Sequence, residues 1–310
     1  MPVIFQFNNF VTMKTIEYLV VKFLFFVFSR LSIKNGKRLA LLFTYLVEHV
    51  FRYRRQVILS NLHRVYGEQL PLPEKKFLHK IYKNFVFLWM EFLQLNHFNA
   101  QTIKQFMHFK NPKVIQHLEK REKGAILYSG HFGNFEWLGH ALALQGLPIW
   151  AIAKKQSNQK VDRFIMKLRE RFGMKIVYTK QARAVCEQAL KNKELVAIVF
   201  DQDARKRGVF VDFLGQPSST AVGTAVLHLR TNAEIVLLIA LRRDYAKFDV
   251  FAKIIEPPPR SGDLQQDILN ITQKISSEFE VWVRKYPEQW FWVHRRWNTR
   301  PEGEAPIHKH

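Results

Sequence analysis

The sequence contains a single cysteine, Cys186, among its 310 residues. One cysteine excludes an internal disulfide and is typical of a reducing compartment. It falls in a predicted helix, residues 182–191, and we expect it to be a small core residue. The chain also lacks the ligand spacings of zinc sites, the aromatic motif of RNA-recognition domains and a clear helix-turn-helix. Disulfide-stapled domains and zinc modules are therefore excluded.

Acidic residues are scarce. There are 26 of them against 48 lysines and arginines, which gives a formal net charge of +22. Such an excess implies an acidic partner: nucleic acid, an anionic membrane surface, or an acidic protein or phosphorylated substrate. The 27 phenylalanines and 7 tryptophans favour a membrane interface, where rings lie at headgroup level and cations contact lipid phosphates. We expect an anionic membrane and no nucleic acid.

The apolar run at the amino end, residues 16–28, is too short for a simple membrane span of ~20 residues and is interrupted by Lys22. A second apolar helix is predicted over residues 39–51. We interpret residues 13–51 as a membrane-associated helical region, either one tilted span or a helix lying in the interface. A buried helical hairpin of a soluble protein is the alternative. No small-residue cleavage site follows, so no removable signal peptide is expected.

The remaining chain alternates between strand and helix patterns. Residues 52–120 are helical and amphipathic, and six strands are predicted further on: Ala125–Ser129, Pro148–Ala153, Lys175–Tyr178, Leu195–Phe200, Ile235–Leu241 and Phe248–Ile255. Helical patterns separate the first five strands, while the sixth follows after a short turn and should be antiparallel. The order predicts an α/β fold with a mostly parallel central sheet and helices on both faces. We divide the chain into a membrane-anchoring region, residues 1–51, and a catalytic domain, residues 52–310.

The segment Ser129-Gly-His-Phe-Gly-Asn-Phe-Glu136 is the first candidate for chemistry. It joins a predicted strand to a predicted helix, which is where open α/β sheets bind ligands. His131 suits a general base, and Glu136 suits the group that orients it. Five helical steps rotate a side chain by roughly 140°, so the pair can meet only if residues 131–133 are non-helical. An ordinary capped helix with an incidental histidine is the alternative.

The residues between the pair support such a turn. Gly133 allows a tight backbone, and Asn134 is a suitable N-cap. Glu136 would then lie in the first helical turn, where the helix dipole favours a carboxylate. A metal site built from His131, Glu136 and His140 is not favoured, because the His-Glu-x-x-His arrangement is missing.

A second polar cluster follows the strand Leu195–Phe200 and should lie at the same sheet edge as His131. It is the run Asp201-Gln-Asp-Ala-Arg-Lys-Arg207. Asp201 and Asp203 could hold a divalent metal beside a nucleotide sugar, as in one class of glycosyltransferase. Alternatively, the two carboxylates orient Arg205, Lys206 and Arg207 to bind an anionic substrate, which three adjacent cations favour. A solvated charged loop is the third interpretation.

Two further segments stand out. Residues 208–217 form an apolar loop bounded by glycine, which suits either the wall of a hydrocarbon channel or simple packing. Residues 287–297 hold three tryptophans, two arginines and His294. This density of rings and guanidinium groups indicates a stacked structural corner or an edge facing phosphates. We leave His294 outside the predicted active site.

Together these segments resemble the bacterial lipid A biosynthesis late acyltransferases, the lauroyl and myristoyl transferases of the glycerolipid acyltransferase superfamily. Four blocks carry the resemblance: Arg54-Arg55 with Asn61-Leu62, residues 129–136, residues 201–215 with Asp201 and Asp203, and residues 287–297. They cover most of the chain in the expected order. The resemblance implies a single-domain α/β acyltransferase with a membrane-anchoring amino end and a His-x4-Glu form of the His-x4-Asp dyad. It does not identify the acceptor, since related proteins acylate mannosylated or amino-acid-containing lipids.

The chemistry of such an enzyme fits the residues. His131 would deprotonate a lipid hydroxyl as it attacks a thioester, and Glu136 would hold the imidazolium. Backbone N–H groups near Gly133 and Asn134, or a nearby cation, would stabilise the oxyanion. Neither a covalent intermediate, a metal nor a cofactor is expected.

The basic surface would dock acidic acyl carrier protein and bind the phosphates of a phosphorylated glycolipid acceptor, most simply a lipid A precursor. Arg163 and Arg169 are candidate substrate-binding residues. The expected location is the cytoplasmic face of a bacterial inner membrane. A metal-dependent glycosyltransferase and a non-catalytic membrane-lipid binding protein are the competing functions.

Overall fold

The computed structural model describes residues 2–304, and side chains from residue 13 onward. The two predicted regions together extend from residue 1 to residue 310, and these outer limits lie outside the described residues. The α-helices are α1 Pro2–Phe28, α2 Ile33–Tyr45, α3 Arg55–Tyr66, α4 Glu74–Leu93, α5 Ile103–Phe106, α6 Pro112–Glu119, α7 Phe135–Ala143, α8 Gln159–Glu170, α9 Ala182–Lys191, α10 Gly223–Thr231 and α11 Leu264–Lys285. The strands are β1 Met107–Phe109, β2 Ala125–Ser129, β3 Ile149–Ala153, β4 Lys175–Tyr178, β5 Leu195–Val199, β6 Val209–Phe213, β7 Gln216–Thr220, β8 Glu234–Asp244 and β9 Lys247–Ile255.

Seven strands form one sheet in the order β1-β9-β8-β2-β5-β3-β4. Strand β2 pairs in parallel with β5 and β8, and β3 pairs in parallel with β4 and β5. Only the β8–β9 pair is antiparallel among the strands of this sheet in residues 2–304. The six predicted strands are therefore confirmed, including the antiparallel partner, and so is the mostly parallel α/β sheet.

Two apolar cores lie on opposite faces of the sheet. Along β2, Ile126 and Tyr128 belong to one core, while Ala125 and Leu127 belong to the other. This alternation follows from the two-residue period of a strand. Helices α9, α10 and α11 cover the first core, and α6, α7 and α8 cover the second. Helices on both faces are confirmed, and Cys186 lies buried in the first core as expected.

The loop predicted over residues 208–217 is instead a β-hairpin. Strands β6 and β7 pair antiparallel as a separate two-stranded sheet. Leu214 and Gly215 connect them with positive φ values of 59° and 75°. Val211 and Phe213 are buried and alternate with exposed Phe210 and Asp212, but the apolar side chain of Phe210 hides this alternation in the sequence. Phe213 stacks on Phe279 rather than lining an open channel.

The amino-terminal helices pack against the rest of the chain on one side and expose apolar groups on the other. Phe25 of α1 packs on Phe164 of α8, with ring centroids 5.3 Å apart. Asn158, the N-cap of α8, donates a hydrogen bond to the Lys14 carbonyl. The opposite face of α1 is exposed and apolar, with Met13, Ile16, Leu19, Val20, Phe23 and Phe26. Within the described part of the chain, no helix is long and apolar enough to cross a bilayer.

Candidate active site

Sheet register brings His131 next to Asp201. Strands β2 and β5 are parallel neighbours, and Ser129 lies opposite Val199. His131 and Asp201 each lie two residues beyond these positions, at the carboxyl edge of the sheet. The prediction that the segments after these two strands share one edge is confirmed.

Asp201 holds the imidazole. Its Oδ1 lies 2.7 Å from His131 Nδ1, and its Oδ2 accepts the His131 backbone N–H at 2.8 Å. The Trp290 indole N–H donates to the same Oδ2 at 2.7 Å. A carboxylate accepting at Nδ1 fixes that nitrogen as the donor and leaves Nε2 as the accepting nitrogen. The side-chain amide of Gln202 donates to this Nε2 at 3.2 Å.

Asp201 is ionised in this arrangement. Its side chain is 2% exposed, and burial alone would raise the pKa of the carboxyl. The charge of a protonated His131, with hydrogen bonds from His131 and Trp290, more than offsets burial and lowers the pKa below its ordinary value. Asp201 therefore stabilises an imidazolium at His131.

Glu136 does not hold the imidazole, which corrects the predicted His131–Glu136 contact. Both of its carboxylate oxygens accept from Arg169 on α8, Oε2 from Nε at 3.0 Å and Oε1 from Nη2. No hydrogen bond joins Glu136 to His131 within the described residues. The reason is geometric: α7 begins at Phe135, so Glu136 lies in its first turn and faces α8. Burial would raise the Glu136 pKa, but the charge and hydrogen bonds of Arg169 lower it.

The non-helical turn itself is confirmed. Residues 131–134 are outside the helix, and Gly133 has a φ of +54°. A Cβ at Gly133 would lie 1.8 Å from the Ala240 carbonyl oxygen, so only glycine fits. The Asn134 side chain caps α7 by accepting the Trp137 N–H at 2.8 Å.

One of the predicted oxyanion donors, the backbone N–H of Gly133, already has a hydrogen-bond partner. The Gly133 N–H donates to the Gln289 carbonyl at 3.1 Å. Asn134 is fully buried, and its side-chain amide donates to Glu91 at 2.7 Å. These two contacts tie the turn to Gln289 and to α4, and a role of the Asn134 backbone N–H in binding the oxyanion stays a prediction.

The other predicted binding residues are separate from the dyad. Asp203 accepts from the Thr299 hydroxyl at 2.9 Å and from the Arg205 backbone N–H at 3.0 Å. The two aspartates thus orient His131 and the main chain, not the guanidinium groups of Arg205 and Arg207, which are exposed. Among the described residues no group of three or more His, Cys, Asp or Glu side chains is arranged to hold a metal ion.

Two more predicted residues lie on α8. Arg163 is exposed beside α1, where it lines a groove of about 530 Å³ with Lys22 and Lys167. Arg169 is bound to Glu136, and its side chain is 19% exposed. Substrate binding by these residues stays a prediction.

The carboxyl-terminal tryptophans form a buried corner that supports the dyad. Trp290, Trp292 and Trp297 are each at most 2% exposed, and the first two lie 4.8 Å apart at their ring centroids. Asn61 of α3 donates to the carbonyls of Trp292 and His294 at 2.9 and 2.8 Å. The stacked-corner interpretation is confirmed, and it explains how distant blocks of the sequence meet.

Aromatic rings line the open side of His131. The ring of Phe135 lies 4.7 Å from the imidazole, and that of Phe291 lies 5.4 Å away. Beneath Phe135, a small apolar cavity of about 40 Å³ lies between the sheet and α7, next to Ser129, Leu138 and Ala197. An imidazole whose Nε2 is the accepting nitrogen and whose neighbours are apolar rings is suited to taking a proton from a hydroxyl carried by an apolar molecule.

Residues 5–299 match the model of the bacterial lipid A biosynthesis acyltransferase family. The chain belongs to this family. It is 25% identical to a lipid A biosynthesis lauroyltransferase of Escherichia coli over 92% of this chain and 90% of that protein.

Two other relatives align over shorter regions. A lipid A biosynthesis palmitoleoyltransferase of Escherichia coli is 25% identical over 63% of this chain. A phosphatidylinositol mannoside acyltransferase of Mycobacterium tuberculosis is 24% identical over 56% of it. The chain spans 62% and 54% of these two proteins, which is less than two thirds of their length. Their names include different acceptors, so the family alone does not fix the lipid.

The sequence predicted that Asp201 lies at the same sheet edge as His131, but not that Asp201 binds the imidazole. The available signal was positional: His131 and Asp201 each follow their strand's last residue by two, and these strands are adjacent and parallel. The role of Trp290 as a donor to Asp201 had no such signal, since it depends on how the carboxyl-terminal corner folds back.

Proposed function

We propose that this protein transfers a fatty acyl group from a thioester to a lipid hydroxyl, with His131 as general base and Asp201 as its positioning residue. The observation that carries the proposal is the His131–Asp201 pair, in which Nδ1 is bound to Asp201 and the imidazole lies beside the rings of Phe135 and Phe291. Membership of the acyltransferase family supports the same reaction.

The acyl group passes directly from the thioester to the hydroxyl, without a covalent enzyme intermediate. The acceptor oxygen attacks the thioester carbonyl carbon while His131 Nε2 takes the hydroxyl proton. The new C–O bond forms, the C–S bond breaks, and the departing thiolate takes the proton back from the imidazolium, which restores neutral His131. Asp201 stabilises that imidazolium through Nδ1. Once the acceptor hydroxyl replaces it at Nε2, the side-chain amide of Gln202, which lies 3.2 Å from that nitrogen, can donate to the developing oxyanion.

The proposed donor is acyl carrier protein, and the proposed acceptor is a phosphorylated lipid A precursor. The formal net charge of +22 favours both an acidic protein and a phosphorylated lipid. The exposed side chains of Arg205 and Arg207 lie in the same loop as Asp201 and Gln202, where they are available to the acceptor's phosphates. The lauroyltransferase relative, matched over most of its length, supports this acceptor over a mannosylated one.

We further propose that α1 lies in the interface of an anionic membrane, at the cytoplasmic face of the inner membrane. Its exposed face is wholly apolar over Met13, Leu19, Phe23 and Phe26. The groove between α1 and α8 carries Lys22, Lys160, Arg163 and Lys167. None of these cations forms an ion pair within residues 13–304. An apolar face bordered by unpaired cations matches a lipid surface with acidic headgroups.

The test of catalysis is acyl transfer measured by mass spectrometry with acyl carrier protein thioester and a phosphorylated lipid A precursor. His131→Ala should lower kcat by at least about 100-fold. The matched control is His108→Ala, since this histidine is exposed on β1. Transfer within a few-fold of wild type in His131→Ala would contradict the mechanism.

The test of membrane binding is sedimentation with phosphatidylglycerol vesicles. Phe23→Glu should reduce the bound fraction, because it places a charge on the lipid-facing side of α1. Leu264→Glu is the matched control, since Leu264 is equally exposed at 63% but lies at the start of α11. Equal losses in both variants would contradict the proposed face.

A further inference from the structure

We infer that Tyr53, Phe85 and Phe291 form an aromatic track that guides a hydrocarbon chain of the lipid acceptor from the membrane surface to His131. The inference rests on the proposed function and adds to it the acceptor's path.

The rings form a continuous row. The ring of Tyr53 stacks on Phe85 with centroids 5.4 Å apart and an interplanar angle of 19°. Phe85 lies 5.6 Å from Phe291, and Phe291 lies 5.4 Å from the His131 ring. Each spacing is within the range of aromatic contacts. The row therefore connects the open side of the base to the loop after α2 without a gap.

The row is open along its length. Tyr53 is 42% exposed, and Phe85 and Phe291 are both partly exposed. A row that served only to pack α4 against the carboxyl-terminal corner would be buried, as the neighbouring tryptophans are. Partly exposed rings instead offer an apolar strip on which an alkyl chain can lie.

The outer end of the track has the features of a lipid-contacting loop. Val50, the last residue of a π-helical turn over Leu46–Val50, and the following Phe51 are 60% and 71% exposed. Arg52 and Arg54 then adopt left-handed φ values of 47° and 51°. Such conformations are unfavourable for non-glycine residues and persist where the surroundings fix them, which is common at functional sites.

The charges identify the occupant. Arg52, Arg54 and Arg295 are exposed along the track, and none forms an ion pair within the described residues. Arg54 also donates to the Val293 carbonyl at 3.0 Å, which ties the outer loop to the segment that bears Phe291. Cations beside an apolar strip match a molecule with phosphates and alkyl chains, rather than an acidic protein.

The first experiment maps the track without turnover. Wild-type protein is bound to phosphatidylglycerol vesicles that contain a lipid A precursor with a photoreactive diazirine in one acyl chain. After irradiation, we expect labelled peptides that contain Phe85 and Phe291. A parallel sample receives acyl carrier protein with the diazirine in its thioester-bound chain.

Labelling of Phe85 and Phe291 by the thioester probe instead of the lipid probe would overturn the inference, since the track would then serve the donor. Labelling by the lipid probe along α1 alone would also overturn it. If the lipid probe labels the track but no acyl transfer is detected, the proposed reaction fails while the track stands.

The second experiment varies the acyl-chain length of the acceptor and measures KM. KM is measured for a lipid A precursor with its native long acyl chains and for one with short chains. Phe85→Ala and Phe291→Ala should each raise KM for the long-chain acceptor by about tenfold relative to the short-chain one, because only the long chain reaches the removed ring. Phe251→Ala is the control: its ring packs on Trp282 at 4.7 Å, elsewhere in the fold, and should leave the KM ratio unchanged. Equal KM changes for both acceptors, or the same ratio change in Phe251→Ala, would refute the track.

Discussion

Two buried carboxylates near the carboxyl edge of the sheet have nearly the same environment and different partners. Asp201 is 2% exposed in its side chain and holds a histidine that is 18% exposed. Glu136 is 5% exposed and holds an arginine that is 19% exposed. Both carboxylates have pKa values below the ordinary range because a basic partner offsets burial.

The difference lies in what the partner can do. An imidazole bound at Nδ1 can accept and release a proton at Nε2 near neutral pH. A guanidinium stays charged throughout that range and can only position, bind or stabilise. Burial and hydrogen bonding therefore do not by themselves separate a catalytic pair from an ion pair; the basic partner does.

The largest effect is expected at Asp201, the carboxylate that binds His131, and is measured as a change in kcat. Asp201→Asn should lower kcat by about 10²–10⁴-fold, because an amide N–H facing Nδ1 favours the tautomer with its proton on Nε2. Measurement of kcat with saturating donor and acceptor checks this. Far-ultraviolet circular dichroism confirms that the variant is folded, and a kcat within fivefold of wild type would count against the dyad.

The next largest effect is expected at Glu136 and is measured as a change in the free energy of unfolding. Removing one partner of a buried ion pair leaves the other charge uncompensated, so Glu136→Gln should lower the free energy of unfolding by about 3–5 kcal/mol. Urea denaturation measures the change. Adding Arg169→Met should recover part of the loss, since both charges are then removed. A single variant as stable as wild type would show that the pair is not needed for the fold.

A third effect depends on pH. Burial lowers the pKa of His140 and of His294 to about 4, below the 6.5 of an unfolded chain. The unfolded state thus binds more protons between these values, so stability is complete above about pH 6.5 and falls as the pH drops. The loss is on the order of 2 kcal/mol for each histidine at pH 5.

His140 offers the matched variant for this test. Both of its ring nitrogens lack a hydrogen-bond partner among the described residues, so an apolar side chain forfeits no bond there. His140→Leu should raise the free energy of unfolding at pH 5 and flatten its pH dependence by about half. An unchanged slope between pH 5 and 7 would contradict the assignment to this histidine.

The smallest effect comes from the segment that joins the two pairs. Asn134 caps α7 and donates to Glu91. Asn134→Ser keeps an N-cap oxygen but loses the amide donor, whereas Asn134→Ala loses both. The second variant should be less stable than the first by about 1 kcal/mol. Thermal unfolding of the two variants gives the difference, and equal midpoints would exclude a capping contribution.

The fold was predictable wherever one local pattern decided it. Short apolar runs with intervening helical periods identified β2, β4 and β5 nearly to the residue. The hairpin β6–β7 was not predicted, because exposed Phe210 is as apolar as its buried neighbour Val211, so the alternating burial of β6 is not visible in the sequence. Strand β1, with three residues, is too short to carry a pattern.

The site was predictable in part for the same reason. His131, the non-helical turn at Gly133 and the Asn134 cap follow from residues close in sequence. The partner of the imidazole does not, because Glu136 and Asp201 are both carboxylates at plausible positions. Only the direction in which α7 leaves the turn decides between them, and that direction is set by packing of α7 against α4 and α8.

The sequence alone was enough to predict the α/β class, the sheet edge at which His131 lies and the histidine that this edge presents. These depend on periodicity, glycine and strand order, which are local properties of the chain. The tertiary structure alone decided that Asp201 holds the imidazole, that Glu136 holds Arg169, and that Tyr53 reaches His131 through Phe85 and Phe291. Each of these contacts joins residues that are more than 30 positions apart in the sequence. Such contacts form only when the sheet register and helix packing bring the segments together.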